Sequence, residues 1–176
     1  MTATEPAQYL LTPFQRGSVV LEAFLKDVLT RRPQRFRSMT YGTTLAPFFD
    51  AVLAMKATGV IEWRGILDHT QAMGKAEKAQ LERIVGAGVV DGTDFLIGTS
   101  PEHHEINHLK ATWLDDSLVL HGSWNYSASA SAQYNSLEIV DSPELAALLQ
   151  QAFDFAWDWI KTNEAAYQTF TAGGAQ

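Results

Sequence analysis

Strand-length apolar runs alternate with helix-length amphipathic segments over the first 98 residues, and this alternation constrains the fold more than any other feature. The predicted strands cover residues 9–12, 35–42, 60–68 and part of 89–98. The predicted helices cover residues 18–31, 44–58 and 75–86, where apolar residues recur at three- and four-residue steps. Strands joined by helices of this length favour parallel pairing, with the sheet covered on both faces. We therefore expect an α/β fold with a mixed, largely parallel sheet sandwiched between helices.

The pattern changes after residue 104. Two apolar-rich runs, HLKATWLDD at 108–116 and SLVLHGSWN at 117–125, meet at an Asp-Asp-Ser step and predict a β-hairpin. A strand over 136–141 and a long helix that begins at Pro143 complete the pattern. We expect one domain over residues 1–176, with its core at about residues 9–162 and a disordered C-terminal tail.

Several residues predict where the helices begin and end. Ser18, either Thr43 or Thr44, and Ser142 are predicted N-caps, and Gly59 is a predicted helix stop.

Composition narrows the function classes. The chain has no cysteine, which excludes disulfides, thiolate zinc sites and cysteine nucleophiles. A net charge of -7 argues against a large nucleic-acid-binding surface, but it leaves room for a small basic groove. The arginines of TRRPQRFRS could line such a groove or could be a solvated helix end; they are Arg31, Arg32, Arg35 and Arg37. The N-terminus resembles no signal peptide and the apolar runs are short, so we expect a cytoplasmic protein without stable membrane association.

His108 belongs to two overlapping patterns. His104, Glu105 and His108 spell H-E-x-x-H, the zinc-protease pattern, which requires a helix to bring both histidines onto one face. The alternation downstream predicts a strand instead, on which residues four apart are separated by roughly 13 Å. Two zinc bonds cannot span that distance, so we favour the second pattern and expect no metal.

The second pattern is H-x-K-x4-D-x6-G-S-x-N, and it fixes six positions without a gap: His108, Lys110, Asp115, Gly122, Ser123 and Asn125. On a strand, His108 and Lys110 point the same way and can both contact one phosphate. Asn125 lies past the hairpin turn, where the paired strand returns to the same end of the sheet.

This run resembles the signature of the phospholipase D superfamily. Residues 35–68 and 135–157 are similar to the family's strand–helix–strand segment and to its closing strand and helix. The chain carries one copy of the motif, as do members of the short bacterial endonuclease-like branch, in which two chains pair about a two-fold axis. The resemblance therefore implies a homodimer with the active site at its interface.

The resemblance also implies residue roles and a reaction without a cofactor. His108 of one protomer would form a phosphohistidine, and His108 of the other would protonate the leaving alkoxide. Lys110 and Asn125 would hold the phosphate oxygens, while Ser123 and Gly122 would supply a donor or shape the turn. Asp115 would be a structural anchor. The nuclease-like members often carry a glutamate after G-S-x-N that orients the histidine; Glu138 is a weak candidate here, and alignment places Tyr134 at that position.

The motif indicates a phosphodiester substrate and leaves its identity open. We favour a nuclease that acts on DNA or RNA. A phospholipase or phosphatidyltransferase is the alternative of the same class, and a non-catalytic binding module that retains the fold is the alternative of another class.

Overall fold

The computed structural model describes residues 8–101, 105–115, 117–163 and 166–170. Within these ranges the chain forms seven strands and five α-helices, with a 3-10 turn at Ser129–Ala132. The strands are β1 (Gln8–Thr12), β2 (Arg35–Thr40), β3 (Glu62–Asp68), β4 (Phe95–Gly98), β5 (Lys110–Leu114), β6 (Leu118–Gly122) and β7 (Asn135–Asp141). The helices are α1 (Gly17–Arg31), α2 (Ala46–Thr58), α3 (His69–Ala72), α4 (Lys75–Gly86) and α5 (Pro143–Thr162). The tail after residue 170, which we expect to be disordered, lies outside the described residues.

The seven strands form one mixed sheet in the order β1-β7-β6-β5-β2-β3-β4. The α/β class, the mixed sheet and the predicted β5–β6 hairpin are confirmed. The expectation of a largely parallel sheet is wrong, because among these strands only the β2–β3 and β3–β4 pairs are parallel. The reason is topological: β5 pairs antiparallel with β2, and β1 pairs with β7 at the sheet edge instead of lying beside β2.

Helices cover both faces of the sheet, as predicted. Helices α1, α2 and α4 pack on one face, where their apolar side chains, such as Leu21, Phe48 and Leu81, form a large buried cluster. Helix α5 covers the other face and packs Phe153 and Trp157 against the sheet. Successive residues of β5 and β6 alternate between the two clusters, as the period of a strand requires.

The helix ends match the predictions in part. Gly59 ends α2 with a left-handed backbone, and the Ser142 hydroxyl accepts from the Leu145 N–H at 3.2 Å at the start of α5. The predicted caps at Ser18 and at Thr43 or Thr44 are wrong, since Arg16 and Leu45 occupy those cap positions without side-chain hydrogen bonds. Thr43 is instead buried beside α4, where its N–H binds the Glu77 carboxylate. None of the helices in the described part of the chain is long and apolar enough to span a membrane.

Gly122 ends β6 in a conformation that only glycine adopts easily. Its φ is +153°, and a Cβ atom at this position would lie 2.3 Å from the carbonyl oxygen of Ser136. Both the backbone angle and the neighbouring strand therefore require the absence of a side chain.

We expect Gly122→Ala to lower the free energy of unfolding by about 2 kcal/mol or more, because β7 must move to admit the methyl group. The measurement is urea denaturation followed by circular dichroism. Gly86→Ala is the matched control: nothing lies within 4 Å of a Cβ there. Alanine near the end of a helix should be neutral or stabilise by up to about 1 kcal/mol. Equal unfolding midpoints for the two variants would contradict the prediction.

Candidate active site at one end of the sheet

The sheet register brings His108, Lys110 and the loop of residues 122–125 together at one end, which we call the site end. Strands β2 and β3 finish there, and β5 begins there, since Thr40 pairs with Lys110. Strand β6 finishes beside them at Gly122, and Thr12 of β1 pairs with Asn135 of β7 at the same end.

Lys110 is the buried cation of this site. Its side chain is 5% exposed, and its ammonium group donates to the His108 carbonyl at 2.7 Å. The same nitrogen lies 4.9 Å from the ring centroid of Tyr41, a cation–π contact. Burial lowers the pKa of Lys110 to about 8, and the negative charge of Asp68 partly opposes that shift. Lys110 is thus a poorly solvated ammonium that can bind an anion closely.

His108 exposes its imidazole next to Lys110. Its ring packs edge-to-face on Tyr41, with ring centroids 4.7 Å apart. The prediction that His108 lies on a strand is wrong, because residues 105–109 form neither strand nor helix and β5 begins at Lys110. The absence of a helix over 105–109 also removes the geometry that the zinc-protease pattern needs. His104 itself lies outside the described residues.

Tyr41 connects these two side chains, and sequence reasoning missed it. It follows β2, its N–H donates to the Leu109 carbonyl at 2.7 Å, and its hydroxyl accepts from the Gln71 side-chain amide at 3.0 Å. The ring is therefore held from both ends while it contacts both Lys110 and His108. The available signal was an aromatic residue near the end of the strand predicted over residues 35–42, one position beyond β2 as observed.

Asn125 approaches the site from the loop after β6. Its amide carbon lies 3.7 Å from where a Cβ would stand on Gly42, the residue after Tyr41. The Asn125 Oδ1 atom is buried and has no hydrogen-bond partner among the described residues. An amide oxygen accepts hydrogen bonds and cannot bind an anionic oxygen, so any contact of Asn125 with a phosphate falls to its Nδ2 group, which donates.

Ser123 and Gly122 shape the loop that carries Asn125. The Ser123 hydroxyl accepts from the Ser136 N–H at 2.9 Å and donates to the Asn135 side chain at 3.3 Å. Together with the close approach of Gly122 to Ser136, these bonds fasten the loop to β7. The Ser123 hydroxyl is therefore engaged in holding the turn.

Asp115 and Glu138 lie apart from this cluster, Asp115 by its position along the sheet and Glu138 by its face. Asp115 is at the opposite end of β5, where its carboxylate accepts from the N–H groups of Gln34 and Arg35 at 3.0 and 2.9 Å. It ties the β5–β6 turn to the start of β2, as an anchor would. Glu138 pairs with His121 at 3.3 Å across β6 and β7, on the sheet face covered by α5. Lys110 shares its face with Thr112 and Leu114, on the other side, so the structure does not bring Glu138 to His108.

Asp68 is a second residue that the motif did not reveal. It is fully buried at the end of β3 and accepts from the N–H groups of Thr70 and Asn107 at 2.9 and 2.8 Å. The bond to Asn107 fixes the segment that leads into His108. Its charge also acts on Lys110. An aspartate directly after a buried strand was visible in the sequence, but its partner 39 residues away was not.

Glu77 on α4 adds a buried carboxyl near the site. It is 1% exposed, it accepts from the Thr43 N–H at 2.8 Å, and its Oε1 has no hydrogen-bond partner in the described part of the chain. Burial raises its pKa to about 8, since the bond from Thr43 compensates only partly and Asp68 adds repulsion. Glu77 is therefore protonated, and so neutral, over much of the neutral pH range.

Acidic residues avoid the surface of the site end. The segments 13–18, 41–45, 69–74 and 123–134 contain no aspartate or glutamate, although the chain has 20. Among the described segments at this end, 105–109 is the exception, with Glu105; Glu102 lies outside the described residues. With Lys110, His108 and Arg16 present, this end favours an anionic ligand despite the net charge of -7.

The arginine cluster of residues 31–37 does not line this site. It lies at the opposite end of the sheet, about 16 Å away along β2. Arg31 pairs with Asp27 at 2.7 Å, and the buried Arg37 contacts Glu62 at 3.4 Å. These arginines therefore form no basic groove at this site, because the whole length of β2 separates Arg35 from the site end.

We expect Lys110 to titrate near pH 8, as measured by NMR of protein with isotope-labelled lysine. Asp68→Asn should lower that pKa further, because the carboxylate favours the charged ammonium. Asp94→Asn is the matched control, since Asp94 pairs with the distant Lys56 at 2.8 Å. Because the charge disappears above this pKa, anion binding at the site should weaken as the pH rises through about 8. Titration near the ordinary value of 10.5 would contradict this account.

Comparisons with known proteins agree with this geometry. The family described as "Cardiolipin synthase, PLD-like domain" matches residues 25–157. No curated protein sequence matches the chain. Among solved structures, the fold is similar to Nuc from Salmonella typhimurium, described as a phospholipase D family member. The TM-score is 0.69 at 21% identity, over 88% of this chain and 95% of Nuc.

Two further structures share the fold. NucT from Helicobacter pylori gives a TM-score of 0.66 at 14% identity, over 87% of this chain and 96% of NucT. Polyphosphate kinase from Porphyromonas gingivalis gives 0.65 at 10% identity, over 86% of this chain and 26% of the kinase. The match of the PLD-like domain to residues 25–157, most of the chain, shows that the chain belongs to the phospholipase D superfamily.

Proposed function

We propose that this protein is a metal-independent nuclease that cleaves phosphodiesters through a phosphohistidine, at a site shared by two protomers. The observation that carries the proposal is the contact of His108 and Lys110 with one ring, that of Tyr41, at the end of the sheet where Asn125 also lies. A nucleophile, a cation and an amide are thereby directed at one place.

The reaction has two displacements. The lone pair of a neutral His108 imidazole attacks phosphorus, and the bond from phosphorus to the leaving oxygen breaks as the partner's charged His108 donates its proton. Water then attacks the phosphohistidine and gives a proton to the partner's neutral His108, and the phosphorus–nitrogen bond breaks. Lys110 and Asn125 hold the non-bridging oxygens, and the ammonium stabilises the charge that develops on them.

Two protomers are needed because one chain carries one copy of the motif. A two-fold axis near His108 would supply the second imidazole and a second ammonium from an identical surface. His108 and its neighbours Ile106 and Leu109 are exposed in the single chain, which leaves room for such a partner.

A nucleic acid suits the charge pattern of the site end. Repeated phosphates need a surface free of carboxylates, and the described loops at this end expose none apart from Glu105. The matching family is described as a cardiolipin synthase domain, which favours phosphatidyl transfer as the second candidate. A lipid substrate would be the conclusion if nucleic acids are not cleaved.

We expect the wild-type protein to nick supercoiled plasmid in excess EDTA, and His108→Ala to abolish nicking, because the variant lacks the nucleophile. His121→Ala is the matched control, since His121 pairs with Glu138 on the other face of the sheet. It should cleave at the wild-type rate. Agarose gels read the conversion to open circles.

Three other results of this assay would each overturn part of the proposal. Loss of wild-type nicking in EDTA would require a metal. Equal loss in both histidine variants would remove the special role of His108. Cleavage of neither plasmid nor RNA would reject the nuclease and leave lipids and small diesters as the candidate substrates.

The shared site predicts a further result for mixed dimers. Dimers purified with two different affinity tags, one subunit carrying His108→Ala, should lose at least about 100-fold in activity, because one imidazole cannot act as both nucleophile and acid. Dimers with one His121→Ala subunit should keep full activity. Half of the wild-type activity in the mixed His108 dimer would show that each protomer works alone.

A further inference from the structure

We propose that Phe14 and Tyr134 form a stacking subsite for unpaired nucleobases, so that single-stranded nucleic acid is the preferred substrate of the His108 site. This inference rests on the proposed nuclease function and names its substrate class.

Phe14 and Tyr134 are two large aromatic side chains that contact each other instead of the core. Their rings are 79% and 84% exposed, with centroids 6.3 Å apart and planes at 52°. Exposed aromatic faces are the surfaces on which single-stranded nucleic acids stack their bases, irrespective of sequence.

The backbone beneath this aromatic pair is tightly held. The Thr12 hydroxyl donates to the Gln133 carbonyl at 2.6 Å and accepts from the Asn135 N–H at 3.1 Å, so it clamps both neighbours of Tyr134. Thr12 is also the end of β1, two residues before Phe14. A surface whose backbone is fixed before binding loses little entropy when a base stacks on it.

The pair is connected to the motif. Asn135, the residue after Tyr134, accepts from the Ser123 hydroxyl at 3.3 Å, and Ser123 belongs to the loop that carries Asn125. Strands β7 and β1 lie two and three strands from β5, which places the pair about 10–14 Å from Lys110 across the sheet. Stacked nucleotides are spaced by about 3.4 Å, so the distance from Lys110 to the pair corresponds to bases three or four positions from the scissile phosphate.

The surroundings favour a nucleic acid over a second copy of the chain. The flanking segments 13–18 and 123–134 carry Arg16 and no acidic residue, which suits phosphates. Bases paired in a duplex hide their faces, so the pair selects single strands.

The test is fluorescence anisotropy with a labelled oligothymidine of about 16 nucleotides and a matched strand whose central positions are abasic. The protein carries His108→Asn so that the strand is not cleaved. We expect Phe14→Ala and Tyr134→Ala each to weaken oligothymidine binding about 5-fold or more, because each removes a stacking surface. On the abasic strand the same variants should change affinity less than about 2-fold.

Phe155→Ala is the matched control, since Phe155 is an aromatic on α5 that is 63% exposed on the other layer of the fold. It should bind both strands like its parent. Unchanged affinity in the Phe14 and Tyr134 variants, an equal loss on the abasic strand, or no binding of oligothymidine at all would overturn the inference. A lower mass of the double variant in sedimentation would also overturn it, because the pair would then be an interface between copies.

The binding assay tests the stacking subsite and the nicking assay tests the nuclease, so each proposal can be rejected while the other is retained. Binding that depends on both rings, in a protein that cleaves no nucleic acid, would retain the stacking subsite and reject the nuclease. Cleavage with binding that ignores the rings would retain the nuclease and reject the subsite.

Discussion

The burial of the Lys110 ammonium is the constraint on which the site depends. A charged group that is 5% exposed is unstable unless its surroundings replace the lost water, as the His108 carbonyl, the Tyr41 face and the charge of Asp68 do here. Asp68 and Lys110 can interact because β3 ends and β5 begins at one end of the sheet, with β2 between them. That arrangement requires β5 to run antiparallel to β2. Lys110 therefore meets Asp68 because half of the sheet is antiparallel. A simple βαβ repeat would not bring the two residues to one end.

Local patterns predicted much of the fold, and long-range pairing accounts for the rest. The helices, the hairpin and the cap at Ser142 follow from spacing and from turn residues, which act over a few positions. The direction of the strands does not, because β1 pairs with a strand more than 120 residues later. Ser18 and Thr43 looked like caps, yet Thr43 binds Glu77, a partner on another helix.

The residues of the candidate site also fall into two groups, those that a local motif predicts and those that only long-range contacts reveal. The motif predicted His108, Lys110 and Asn125, and the structure gathers them at one end of the sheet. Tyr41 and Asp68 lie near the ends of two predicted strands, but their roles became visible only through their contacts with His108, Lys110 and Asn107. The arginines of residues 31–37 were misleading because their clustering in sequence does not show at which end of the sheet they lie.

The contact between His108 and Tyr41 bears on how a symmetric site could work. The proposed reaction needs one neutral and one charged imidazole, and coupled titration of two equivalent histidines provides that state. A carboxylate beside each imidazole would favour the charged form in both protomers. It would therefore oppose a state in which one imidazole is neutral and the other is charged. Glu138, the acid put forward from the sequence, is paired with His121 on the other face. The contact seen for His108 is an aromatic ring, which orients the imidazole plane without placing a negative charge beside it.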